Sequence, residues 1–153
     1  MILVDFNIIV AAIVDHHSSH ADAMAFINAG DLPPLLVAAH SYAEAYSTLT
    51  RRGGPQPYGL DPRRAVEGLR TIQSLSTTVA MNAEQTVSAV EAFADVGIGA
   101  RLYDYLIGRT GVVYGANTIV TFNTAHLRAL FPALAVRTPA EWLALNPAPP
   151  PPP

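Results

Sequence analysis

The feature that most constrains this chain is a series of short apolar runs, each closed by a polar residue or a turn and each followed by a segment of helical spacing. The first is Ile2-Leu3-Val4, which stops at the carboxylate of Asp5; Asn7 follows before apolar character resumes at Ile8-Ile9-Val10. A short continuous apolar run bounded in this way fits a strand covered on both faces. Leu35-Leu36-Val37-Ala38, Thr77 to Met81 and Ile119-Val120-Thr121 read the same way, with Ala135-Val136 as a short edge strand. Between them the spacing predicts helices over about Asn7 to Val14, Ala21 to Ile27, Ser41 to Arg52 and Asn123 to Leu130. Further helices are expected behind the cap signals Asp61-Pro62, Asn82 with Gln85, and Thr138-Pro139 with Glu141, and one more opens near Arg101. Alternation of this kind implies an α/β fold, a three-layer α/β/α sandwich around a central, mostly parallel sheet of four to five strands.

Composition narrows the function. With 153 residues, half of them apolar, the chain is expected to form one domain over residues 1–145, followed by a proline-rich extended tail at 146–153. No stretch approaches the roughly 20 apolar residues of a membrane span, and no basic leader precedes the first apolar run. The expectation is a soluble, cytoplasmic protein with no membrane role. Cysteine is absent, which removes disulfide scaffolds, thiolate zinc sites and thiol nucleophiles. All nine basic residues are arginine, so lysine-dependent chemistry, such as P-loop nucleotide binding or Schiff-base formation, is excluded. A net charge of −3 argues against a nonspecific nucleic-acid coat, yet a bound divalent cation in an acidic pocket would reverse the local field.

In an open α/β sheet, ligands collect at the carboxyl ends of the strands. Asp5 stands at such an end, and Glu44, Asp104 and Asn123 each lie near a handover into a helix. Hard cations such as Mg²⁺ or Mn²⁺ prefer carboxylate, amide and water oxygens. Asp5 and Asp104 are therefore the expected metal ligands, with Glu44 and Asn123 acting through water or orienting a nucleophile. Such a metal would lower the pKa of a bound water and clamp a phosphodiester for in-line attack. Asn7, Arg51, Arg52, Arg101 and Thr121 are the candidate substrate contacts, the arginines by gripping phosphates.

Each candidate also has a plain structural reading. Ser41 and Glu44 spell a capping box, as Thr138 and Glu141 do elsewhere in the chain. Asn123 fits the N-cap of the helix after Thr121, and Asp104 suits the positive end of its own helix. Arg51 and Arg52 complement the dipole at the end of a helix. His16, His17 and His20 have spacings that could bind zinc on a helix, but they lie in a Ser-rich loop, so a solvated or phosphate-contacting role is expected. His40 and His126 stand alone and read as hydrogen-bonded structural residues.

Four motifs taken together carry a resemblance. Met1-Ile2-Leu3-Val4-Asp5-Phe6-Asn7 resembles the opening of PIN-domain nucleases, whose first strand ends in Asp-x-Asn. Ser41-Tyr42-Ala43-Glu44-Ala45-Tyr46 is similar to their second acidic motif, Arg101 to Ile107 around Asp104 to their third, and Ile119 to Asn123 to their fourth. The resemblance spans roughly residues 1 to 145, and in length the chain is similar to the VapC-type toxins of bacterial toxin–antitoxin pairs. It implies a Mg²⁺- or Mn²⁺-dependent endoribonuclease, homodimeric and held inactive by a small cognate antitoxin, with Asp5, Glu44 and Asp104 as the acidic site. The fourth position, often aspartate in that family, is Asn123 here, which implies one tightly bound ion.

Two other classes compete. Aspartyl-phosphate phosphatases and phospho-acceptor domains also place an aspartate after the first strand, but both need a lysine that this chain lacks. A catalytically weak PIN fold that binds RNA or protein is the alternative that Asn123 makes conceivable. The apolar helix from Ala38 to Leu49 is suggested as a twofold interface.

Overall fold

A computed structural model describes residues 1–55 and 57–147. Of the expected proline-rich tail, residues 148–153 lie outside the described residues. The element order is β1 (Ile2–Val4), α1 (Phe6–Ile13), α2 (His20–Ile27), β2 (Leu35–Ala38), α3 (Ala39–Thr50), α4 (Pro62–Ser74) and β3 (Thr77–Val79). It continues with α5 (Ala83–Phe93), α6 (Arg101–Val113), β4 (Thr118–Val120), α7 (Thr124–Leu130), β5 (Ala135–Arg137) and α8 (Pro139–Leu145).

All five strands are parallel and lie in the order β3-β2-β1-β4-β5. The chain steps from β1 outward to β3, then returns to the other side of β1 to lay down β4 and β5. The order thus reverses between β1 and β4, where Val4 stands opposite Val120. That crevice, outside the carboxyl ends of the two central strands, is where parallel α/β sheets bind ligands.

The apolar runs are continuous because both sheet faces are covered. Ile2, Val4, Leu35, Val37 and Val120 point into one core with residues of α1 to α4 and Trp142 of α8. Leu3, Leu36, Val79, Ile119 and Val136 point into the other with Ile107 of α6 and Leu127 of α7. Strand periodicity of two therefore divides each run between two helical layers.

Local signals set most helix ends. Asp61 accepts from the N–H groups of Arg63 and Arg64 ahead of Pro62, and both predicted boxes, Asn82 with Gln85 and Thr138 with Glu141, form reciprocally. The start of α3 is a correction. It runs straight out of β2 at Ala39, two residues before the expected Ser41, and no side chain caps it. Ser41 is instead fully buried, so the Ser41–Glu44 capping box does not exist. On this helix, suggested as a twofold interface, Ser41, Ala45 and Leu49 face the core as α3 packs against α1 and α4, while Ala39, Ala43, Tyr46 and Ser47 form an exposed face.

Close approach by α6 depends on glycine. A Cβ at Gly108 would lie 2.1 Å from Cε2 of Phe131, a buried ring stacked on Tyr105, and one at Gly111 would lie 2.8 Å from Cδ2 of Leu3. Gly108→Ala should therefore cost about 1–2 kcal/mol net, overpacking outweighing the gain in helix propensity. A lower urea midpoint with an unchanged slope is the expected measurement.

Candidate active site

Asp5 is the first polar residue the fold delivers to the switch point. It occupies the N-cap position of α1 in extended backbone but makes no capping bond with its side chain, which turns across to β4. Its N–H is bonded to the Val120 carbonyl at 3.0 Å, and the residue is 1% exposed. The Thr121 hydroxyl donates to Asp5 Oδ2 at 2.6 Å, and the Asn7 amide donates to the same oxygen at 2.8 Å. Asn7 also donates to Thr121 Oγ1 at 3.0 Å and accepts from the Phe122 N–H at 3.2 Å. Both side-chain donors therefore go to one carboxylate oxygen. The other, Oδ1, is buried with no partner.

Glu44 reaches the same region from α3, one turn inside the helix rather than at its cap. Its Oε1 is buried and unpartnered, and His40 Nε2, one turn earlier, stands 3.9 Å away, beyond hydrogen-bond reach. Asp104 sits in the first turn of α6 and is held by His126 of α7, whose Nδ1 donates to Oδ2 at 2.7 Å. Both side chains of that pair are 19% exposed.

The electrostatics show that the three acids share a neighbourhood. Burial pushes the Asp5 carboxyl up to about 6 against the lowering effect of the Thr121 hydroxyl, and the charge of Asp104 adds to the rise. Burial pushes Glu44 up to about 7, with the charges of Asp5 and Asp104 both contributing. Neighbouring carboxylates of like charge resist ionising together, which is the condition a bound cation relieves.

The donor set fits a hard divalent cation on two grounds. Asp5 Oδ1 and Glu44 Oε1 are acceptor atoms in the interior that lack any donor, an arrangement costly unless a cation completes it. Oxygen-only ligands also match Mg²⁺ or Mn²⁺. Among the described residues no three His, Asp or Glu side chains are gathered closely enough to ligate one ion together. A cation here would thus take one or two carboxylates and keep waters in its other positions, as Mg²⁺ commonly does.

A family model for the PIN domain matches residues 2–131. The chain belongs to the PIN domain family. Two solved structures share the fold of this PIN domain. The crystal structure of VapC20 from Mycobacterium tuberculosis, a sarcin-ricin loop cleaving toxin, is 18% identical and superposes with a TM-score of 0.68 over 84% of this chain and 95% of that one. VapBC2 from Rickettsia felis, bound to a DNA fragment from their promoter, is 18% identical with a TM-score of 0.59 over 90% of this chain and 98% of that one. No curated protein matches the sequence.

The other expected residues of this PIN domain fall in different places. Thr121 was expected to touch substrate and is fully buried; its hydroxyl serves Asp5, and its oxygen accepts from the Asn123 N–H at 2.9 Å, so Thr121 supplies the turn's side-chain bond. Asn123 is at the N-cap of α7 without a side-chain capping bond, and it is exposed at the rim. Arg51, Arg52 and Arg101 are all exposed, with the Arg51 guanidinium donating to the Pro55 carbonyl at 2.6 Å. His16, His17 and His20 form no metal cluster among the described residues. Sequence reading missed His126 as the partner of Asp104. The signal was its position one helical turn after Asn123, which aims it back at the strand end.

Both raised carboxyls bind protons more readily in the folded state than in the unfolded one, so stability falls as pH rises from about 4 towards 7. In EDTA the melting temperature of the wild type should drop between pH 5 and pH 8. Glu44→Gln should flatten part of that drop, and millimolar Mg²⁺ should raise the wild-type value at pH 8.

Proposed function

We propose that this PIN domain is a metal-dependent endoribonuclease and the toxin of a type II toxin–antitoxin pair. The observation that carries the reading is the buried Asp5 at the sheet's switch point, with one oxygen saturated, the other free, and the charges of Glu44 and Asp104 close by. A fold shared with a sarcin-ricin loop cleaving toxin supports RNA as the substrate and a toxin's role.

In this reading Asp5 and Asp104 hold Mg²⁺ or Mn²⁺, which when bound lowers the pKa of a water and neutralises charge on the scissile phosphate. Asn7 and Thr121 keep Asp5 Oδ2 occupied, so its free oxygen is presented to the cation in a single orientation. His126 does the same for Asp104 by engaging Oδ2 and is a positioning residue. Glu44 orients the attacking water through its buried Oε1 and can accept its proton. Asn123 lines the rim as a neutral polar group, and Arg51, Arg52 and Arg101 meet the RNA backbone. The partners are RNA, a second copy of the chain and a cognate antitoxin. No helix among the described residues is long and apolar enough to cross a membrane.

One observation favours the second reading, a catalytically weak PIN-fold binding module: Asn123, in the fourth motif, is exposed and brings no charge to the acidic site. Incubation with total cellular RNA decides between them. The wild type should cleave RNA only with Mg²⁺ or Mn²⁺, and Asp5→Ala and Asp104→Ala should abolish the metal-dependent cut. His126→Ala should weaken metal affinity or cleavage roughly 10- to 100-fold. RNA left intact by the wild type with either metal would favour the binding module.

A further inference from the structure

We propose that the rings of Phe122, His17 and Tyr58 form a stacking platform for an unpaired base of the RNA, set beside the carboxylate site. The inference rests on the ribonuclease reading and deepens it by naming the side chains that hold an unpaired base.

Three distant segments build the platform. Phe122 follows Thr121, and its N–H is bonded to Asn7, so the network that fixes Asp5 also fixes the backbone carrying this ring. His17, between α1 and α2, stacks on Phe122 with centroids 6.5 Å apart and planes 25° from parallel. Tyr58, between α3 and α4, lies 6.0 Å from His17 and 6.1 Å from His16. Phe122 and Tyr58 are half-buried, and their inner parts pack on the core beneath α1 to α4, which holds the row rigid.

The chemistry of the row suits a base better than it suits packing alone. His17 Nδ1 accepts from the Ser19 N–H at 3.0 Å, which leaves the ring proton on Nε2, an atom with no hydrogen bond among the described residues. Burial and the neighbouring His16 and His20 lower the His17 pKa, which favours the neutral ring. The Tyr58 hydroxyl likewise makes no hydrogen bond among the described residues. A crevice of about 270 Å³ opens at His16, His17, Ser18, Pro57 and Tyr58, below the range of about 300–1,000 Å³ typical of drug-sized pockets and on the scale of a single base. Aromatic faces with free polar edges are how unpaired bases are held, because a duplex keeps the base faces stacked and the Watson–Crick edges paired. Two arginines flank the same loop: the Arg51 guanidinium donates to the Pro55 carbonyl, and the Arg52 stem runs alongside Gly59.

The test is fluorescence anisotropy of a labelled single-stranded oligoribonucleotide with the full chain in EDTA, which prevents cutting. Tyr58→Leu should weaken binding roughly five- to a hundredfold, while Tyr58→Phe, which keeps the ring, should bind within about twofold of wild type. His17→Ala, in a surface loop, should give a loss in the same direction, and unchanged melting temperatures would separate that loss from misfolding. Duplex RNA of the same sequence should not distinguish wild type from Tyr58→Leu. Equal single-strand affinity in wild type, Tyr58→Leu and His17→Ala would overturn the platform, and metal-dependent cleavage by that wild type would leave the nuclease reading standing. Variants that keep RNA affinity but release a copurifying protein would assign the rings to a protein partner and overturn the proposal. A wild type that neither binds nor cuts RNA would overturn both readings.

Discussion

A carboxylate in the interior needs a reason to be there, and the structure around Asp5 is organised to supply one. Burial penalises its charge, and the Thr121 hydroxyl, followed by the backbone N–H groups of Phe6 and Asn7, offsets part of that penalty, while the Thr121 and Asn7 side chains both donate to the same oxygen. The arrangement is possible because β1 is central and β4 returns beside it, so the residue after Val120 arrives opposite the residue after Val4. Were β1 at an edge, Asp5 would face water and require neither donor nor cation.

Packing then brings the remaining acids to this point. Glycine at 108 and 111 lets α6 settle onto Phe131 and Leu3, which places the first turn of that helix, and with it Asp104, over the strand ends. The small buried residues Ser41 and Ala45 let α3 sit close to its neighbours, so that Glu44 is turned inward. The resulting crowd of like charges is unfavourable without a counterion, and core packing holds it together. Local instability of this kind at a functional site is sustained by stability elsewhere in the fold.

Much of the architecture was legible because it rests on short-range chemistry. The strands announced themselves as apolar runs, and Asp61, Asn82 with Gln85 and Thr138 with Glu141 capped helices as their spelling predicts. Ser41 and Glu44 have the same spelling and a different fate. Since α3 leaves β2 without a turn, Ser41 falls inside the helix and is buried, and Glu44 is released from capping. Asn123 shows a related exchange, in which Thr121 makes the side-chain bond at the turn and Asn123 remains at the rim.

The sequence alone determined the strands, most of the helices and the order of four motifs, three acidic and one carrying Asn123, because each depends on residues within a few positions of one another. It also located Asp5, since a carboxylate ending a buried strand is conspicuous in one dimension. Only the tertiary structure decided the partners: Thr121 for Asp5, 116 residues away, and His126 for Asp104, 22 residues away. It decided as well that His17, Tyr58 and Phe122 meet in one row. Those contacts depend on sheet order and on how closely helices approach, and both are set by the packing of the whole core, which no local pattern records.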